Sequence, residues 1–263
     1  MMHENASSLL SFDGLTAGVY PDPAALGVAA AEAAVATLEN VLANKPRARL
    51  MIGTGNSQES TIGALVRHPA LDWSRIEVFH MDEYVGLSPD HPASFRRWLR
   101  TRVEETARPA ALHYLAGDAP DLAAEIERYT QLLLAAPLDL SFIGFGENGH
   151  IAFNDPHVAD FEDPATLKRV VLDEACRRQQ VGEGHFDSLE AVPTEALTVT
   201  CPGLFRARRW IAVVPEKRKA EAVRAALTGP VTPACPGSLI RRHANVDLFL
   251  DEASASLLPR AQP

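Results

Sequence analysis

The chain has 263 residues, 46% of them hydrophobic and 22% charged, with a formal net charge of −9. That length and composition suit a globular protein with a sizeable core, read here as one α/β domain over residues 1–263. The acidic balance excludes a general nucleic-acid binder, which needs a basic stripe, and no apolar run approaches the ~20 residues of a membrane helix.

An anionic ligand gains nothing from such an overall field. A phosphate would need a local cradle of backbone N–H groups and a nearby cation. The opening "MMHENASSLL" has no basic region followed by an apolar stretch, so no secretory leader is expected. Cys176, Cys201 and Cys235 are odd in number and widely spaced. They imply a reduced, cytoplasmic protein with structural thiols and no metal knuckle.

In chain order, the alanine-rich "ALGVAAAEAAVATLENVLANK" predicts a helix starting after "PDP", where proline suits the first turn. "RARLMIG" predicts a strand, "TGNS" a turn, and "QESTIGALVRH" a helix. "IEVFHMDEY" reads as one strand, rich in β-branched and aromatic residues. "ASFRRWLRTRVEETA" and "DLAAEIERYTQLLLAA" follow as amphipathic helices, then "LDLSFIG" as a buried strand. The last third predicts strand "RRWIAVVP", helix "EKRKAEAVRAALTG" and strand "VDLFLD". Alternating strands and helices predict a mostly parallel sheet covered on both faces. The stretch from about 155 to 200 has weak periodicity and reads as a lid or a long surface excursion.

In parallel sheets, ligands bind beyond the carboxyl ends of the strands. Three strands here end in chemistry-bearing residues. After the first comes "GTGNSQ": Gly53 and Gly55 permit tight turns, Ser57 can cap the next helix, and successive N–H groups could hold a phosphate. It could equally be a plain strand-to-helix turn, and no lysine follows as in a Walker loop. The second strand ends in "HMDEY". Asp82 and Glu83 should face opposite ways, one into a cleft and one away. An acid there can act as a general base, although a salt-bridged or capping acid is the commoner fate. His80 reads as a packed, hydrogen-bonded histidine beneath the site. The third strand runs into "FGENGHIAFND". Glycines there let the backbone approach a ligand, and His150 can exchange protons near neutral pH. Asn148 and Asp155 could orient the imidazole or bind sugar hydroxyls, and Asp155–Pro156 could be just a turn. Lys219, near a helix start, opposes the helix dipole, which suits a lysine that meets an anion, although a solvated lysine is the ordinary reading.

Taken together, "MDEYVGL", "HPASF", "GENGHIAFNDP", "VPTEALTVT" and the "K-A-x-A-x-x-A-A-x-x-G" pattern from Lys219 to Gly229 resemble the glucosamine-6-phosphate deaminase family. That family sits in the wider group that includes 6-phosphogluconolactonases, which typically carry "DGHTAS" where this chain has "NGHIAF". The resemblance implies a modified Rossmann-like three-layer α/β sandwich with its site at the strand carboxyl ends. It implies a hydrolase/isomerase that converts glucosamine 6-phosphate to fructose 6-phosphate and ammonia without metal or organic cofactor. Asp82 would move the proton between C1 and C2, and His150, supported by Asn148 and Asp155, would help open the sugar ring. Thr54, Gly55, Asn56 and Ser57 match the phosphate loop and Lys219 the phosphate lysine. The implied partner is a phosphorylated amino sugar, with no nucleic acid or membrane, in a possible homo-oligomer.

Two departures from the family pattern stand out. Asp155 replaces the usual glutamate, so its carboxylate reaches roughly 1.5 Å less far. The phosphate arginine expected in "LDEACRRQQVGEGHF" is displaced, leaving Arg177, Arg178 or neither to meet the phosphate. These leave open a 6-phosphogluconolactonase, a non-catalytic phosphosugar-binding protein, or an enzyme for another amino sugar phosphate.

Overall fold

The computed structural model describes His3 and residues 5–259. Met1, Met2 and Glu4 of the leader reading lie outside the described residues. The chain runs β1 (Ser8–Phe12), β2 (Leu15–Tyr20), α1 (Pro23–Asn44), β3 (Ala48–Ile52), α2 (Glu59–Leu65), β4 (Ile76–His80), β5 (Asp82–Tyr84), α3 (Phe95–Leu99), α4 (Glu105–Ala107), β6 (Ala111–His113), α5 (Leu122–Leu134), β7 (Leu140–Ile143), β8 (Leu167–Val171), α6 (Glu174–Gly182), β9 (Glu195–Val199), α7 (Cys201–Phe205), β10 (Trp210–Val214), α8 (Ala220–Thr228) and β11 (Val246–Asp251).

Eight strands form one sheet in the order β1-β2-β11-β10-β7-β3-β4-β6. Only β1 is antiparallel, paired with β2 across the Asp13–Gly14 turn, where both residues have positive φ. The other pairs are parallel. Because both faces are covered, the strands read as continuous apolar runs whose alternate residues feed opposite cores. Along β10, Ile211 and Val213 pack with α1 and α2, while Trp210, Ala212 and Val214 pack on the opposite face with α5 and α8. This is the expected α/β sandwich with helices on both sides.

The helix after "PDP" forms as predicted. Asp22 caps it by accepting from the Ala25 amide at 2.8 Å, with proline in the first turn. By length and composition it is apolar enough to cross a bilayer, which corrects the expectation from apolar runs alone; half of that stretch is buried inside the protein. Its alanines allow close packing on α2 and the sheet.

Two expectations change. "IEVFHMDEY" is not one strand. The chain leaves the main sheet at Met81, and β5 pairs antiparallel with β9 in a second sheet ordered β5-β9-β8. The 155–200 stretch holds β8, α6 and β9, so it is a structured cap over the main sheet. It has its own small core, with Tyr84 packed against Phe95, Phe153 and Phe186 at 5.1–5.4 Å between ring centroids. Its strands are short and its core draws on distant segments, so no local periodicity announces it. The "ASFRRWLRTRVEETA" helix forms but widens into a π turn at Arg100–Glu104 between α3 and α4.

Candidate active site

The strand order reverses between β3 and β7, which are neighbours although β4 and β6 separate them in sequence. Such a switch point leaves a crevice beyond the strand carboxyl ends. A cleft of about 630 Å³, partly open to solvent, lies there; its walls include Thr54–Ser57, Asp82, His150 and Lys219. The turns after β3, β4, β7 and β10 thus converge on one space.

After β3 the backbone turns at Gly55, whose φ of +98° is a left-handed value that glycine adopts without strain. A short 3₁₀ turn, Asn56–Gln58, leads into α2. Ser57 lines the cleft and does not cap the helix, which corrects that expectation. The buried Gln58 side chain donates to the Val213 carbonyl at 3.3 Å, tying the turn to β10.

After β4 the break at Met81 decides where two acids point. Glu83 turns away from the cleft and accepts from the Ser94 hydroxyl at 2.8 Å and the Arg96 amide at 3.0 Å, with the Arg96 guanidinium at 3.3 Å. It thereby anchors the start of α3, and "HPASF" is the receiving end of that anchor. Asp82 lines the cleft, and one of its carboxylate oxygens is buried without a hydrogen-bond partner among the described residues. Burial, reinforced by the neighbouring Glu83 charge, raises its pKa well above the usual carboxylate range. His80 is fully buried, accepts from the Leu115 amide at 2.8 Å, and is pushed down to about 3 by burial, so it is a neutral packing residue.

After β7 the loop is shaped by glycine. A Cβ on Gly146 would lie 2.1 Å from the His150 ring, so only glycine lets the imidazole rest against the backbone here. Asn148 accepts from the His150 amide at 3.0 Å and donates to Asp155 at 3.0 Å and Asp173 at 3.2 Å. His150 Nδ1 sits 3.1 Å from Asp155 Oδ1, within ion-pairing distance though off the line of a straight hydrogen bond. The shorter aspartate therefore reaches the ring without an intervening group. Asn148 meets the His150 backbone and Asp155 its ring, and neither is among the residues that line the cleft. Burial pushes the Asp155 carboxyl up, but His150, Asn148 and the Asp173 amide outweigh it and hold the group below its ordinary value. Ala152, on the cleft wall, adopts φ +50°, a strained value for a residue with a Cβ.

One ligating atom each from His150, Asp155 and Cys176 lie within 4.8 Å of one another, and the same holds for Asp155, His157 and Asp173. A divalent ion could bridge such spacings. Burial, with Asp155 and Asp173 nearby, raises the Cys176 thiol far from its ordinary range. A neutral thiol is a poor metal ligand, which counts against the first cluster as a metal centre.

At the other end, Lys219 is buried where the chain leaves β10, and burial pulls its pKa down. Its ammonium lies 3.6 Å from Glu183, which also meets Arg218 at 3.3 Å and His185 at 3.4 Å. Burial would raise the Glu183 carboxyl, but His185, Lys219, Arg218 and Gln179 outweigh it and hold it at about 2. Neither candidate arginine is here: Arg177 bonds the Leu189 and Val192 carbonyls, and Arg178 pairs with Glu174 at the surface. Glu183, His185, Gln179 and Gln180 line the cleft from the cap, yet no periodicity in the sequence marks them. Their one signal is the run of unusual polar residues where the arginine was expected.

Fold and cleft together define a Rossmann-like α/β protein of the phosphosugar-enzyme type. Residues 21–249 match the model of the glucosamine-6-phosphate isomerases/6-phosphogluconolactonase family, and the chain belongs to that family. It is 36% identical over 192 residues to a glucosamine-6-phosphate deaminase of Exiguobacterium sibiricum, spanning 73% of this chain and 74% of the relative. A solved monomeric glucosamine-6-phosphate deaminase superposes with a TM-score of 0.83 at 31% identity, covering 92% of this chain and 99% of that one. The 6-phosphogluconolactonase of Trypanosoma brucei has a TM-score of 0.75 at 17% identity, covering 95% and 100%, a likeness of fold alone. The two relatives above 30% identity are named as deaminases, and the hydrolase designation expected from sequence finds no support in their names.

Proposed function

We propose that this chain is an isomerising deaminase of glucosamine 6-phosphate, with Asp82 and His150 as its acid–base groups and Thr54, Gly55, Asn56, Ser57 and Lys219 as its phosphate end. The observation that carries the reading is that Asp82, buried and with an unpartnered carboxylate oxygen among the described residues, lines the same cleft as His150 and Lys219. A buried carboxylate with a raised pKa is a stronger base than an exposed one. His150, held by Asn148 and Asp155, takes the anomeric hydroxyl proton and delivers it to the ring oxygen as the C1–O5 bond breaks, which leaves the open-chain aldehyde and returns the imidazole to its starting state. The aldehyde acidifies the C2 hydrogen. Asp82 takes that proton, leaving an enolamine, and returns it to C1. The resulting C2 imine adds water and expels ammonia, giving fructose 6-phosphate. Phosphate binding supplies orientation for these steps.

The reading takes the chain as one α/β unit whose 155–200 segment is the cap of the site. It carries a cytoplasmic setting with it. The test is ammonia release from a panel of hexosamine 6-phosphates, run beside opening of 6-phosphogluconolactone. Ammonia from the glucosamine compound is the expected result. Lactone opening without ammonia, or tight phosphosugar binding with no product, would replace the assignment.

A further inference from the structure

The reaction above makes no use of Glu183, although its side chain is only 8% exposed and points inward. Its carboxylate collects Lys219 at 3.6 Å, Arg218 at 3.3 Å, His185 at 3.4 Å and the Gln179 amide at 2.8 Å. The Asn56 side chain, from the turn after β3, donates to the Glu183 carbonyl at 3.3 Å. Carboxylate and phosphate oxygens compete for the same cationic donors. Two anions held side by side in one partly desolvated pocket repel each other strongly.

We propose that Glu183 is a resident anion seated at the phosphate end of the cleft in the free protein, and that an incoming sugar phosphate must displace it, so that this residue sets phosphate affinity. The proposal rests on reading the cleft as a phosphosugar site. The movement is one of the side chain, since the Glu183 backbone is held by its amide on the Gln179 carbonyl at 2.8 Å and by its carbonyl on Asn56 at 3.3 Å. Glu183 lies between Gly182, the last residue of α6, and Gly184, whose φ is +79°. A Cβ built on either glycine would meet nothing within 4 Å, so the segment has open space beside it. Just beyond, Phe186 is locked into the cap core, so a swing of Glu183 leaves the cap anchored. The opposing arrangement is a scaffold, in which Glu183 holds Lys219 in place for the phosphate. Displacement and scaffolding predict opposite signs.

The deciding experiment is calorimetric titration of the full chain with inorganic phosphate, for wild type, Glu183→Gln, and Glu183→Gln combined with Lys219→Ala. Displacement predicts that the Gln variant binds phosphate roughly tenfold or more tightly, since a like charge has been removed from the pocket. The added Lys219→Ala change should erase the gain, and the KM for glucosamine 6-phosphate should fall with the phosphate Kd in the single variant. Unchanged or weaker phosphate binding by a cooperatively melting Gln variant overturns the proposal. Should that variant fail to fold, Glu183→Ala is read by the same criterion. Ammonia release separates the two claims. Release without tighter phosphate binding sinks the displacement alone, whereas tighter binding without release from any hexosamine phosphate sinks the assigned reaction alone.

Discussion

The wall built after β4 and the wall built after β7 each rest on a buried aspartate, and the two are treated in opposite ways. Asp82 is enclosed with one oxygen unpartnered, and burial raises its pKa. Asp155 is just as enclosed but is met by His150, Asn148 and the Asp173 amide, which hold its pKa down. The same side chain is thus driven toward its protonated form on one wall and held charged beside a histidine on the other, and the proposed reaction uses the first to exchange a proton and the second to orient the ring. Environment, not residue type, assigns the roles.

The sharpest way to break this contrast is Asp82→Asn. Turnover should fall by at least about 10²–10⁴-fold while phosphosugar binding survives. Thermal melting should not drop, because the folded state favours protonated Asp82 and so holds its ionised form at a cost. Near-normal ammonia release by this variant would remove Asp82 from the chemistry. On the opposite wall, Gly146→Ala forces a methyl within 2.1 Å of the His150 ring. The ring must shift, and kcat should fall about 10²-fold with KM little changed. An unaffected kcat would mean that the position of the imidazole does not matter.

Lys219→Ala should act on binding, raising KM roughly tenfold or more with a smaller effect on kcat. Equal loss in both constants would place the lysine in the chemical step. A smaller effect concerns acid stability. Glu183 is held at about 2, below its ordinary 4.5, so as pH falls the unfolded chain takes up this proton first. Its contribution is complete above about pH 4.5 and is lost as pH falls through about 2. The difference in melting temperature between wild type and Glu183→Gln should therefore shrink on going from about pH 6 to about pH 3. A constant difference would show that the pairing with Lys219 and His185 does not form in solution. Arg178→Ala should leave KM and kcat within about twofold, since it pairs with surface Glu174 and does not line the cleft. A large rise in KM would return the displaced arginine to the phosphate site.

Much of the scaffold was legible because it is local. Apolar runs buried on both faces marked β3, β7, β10 and β11, and proline after an aspartate marked the start of α1. The residue contents of the strand-end turns were legible too, including the opposite facing of Asp82 and Glu83, since alternation sets it. The cap was not. β8 and β9 pair with each other and with β5 across long loops, and the core around Tyr84 gathers residues from about 84 to 196.

By itself the sequence determined the class of fold, the family, and which acid, imidazole and lysine stand at strand ends, because those follow from patterning within a few residues. Only the tertiary structure decided that these strand ends share one cleft, that Asp155 reaches His150 despite its shorter side chain, and that Glu183 rather than an arginine faces Lys219. Those outcomes depend on strand order and on where a distant cap settles, and no spacing along the chain encodes a distance between segments that meet only when the sheet is assembled.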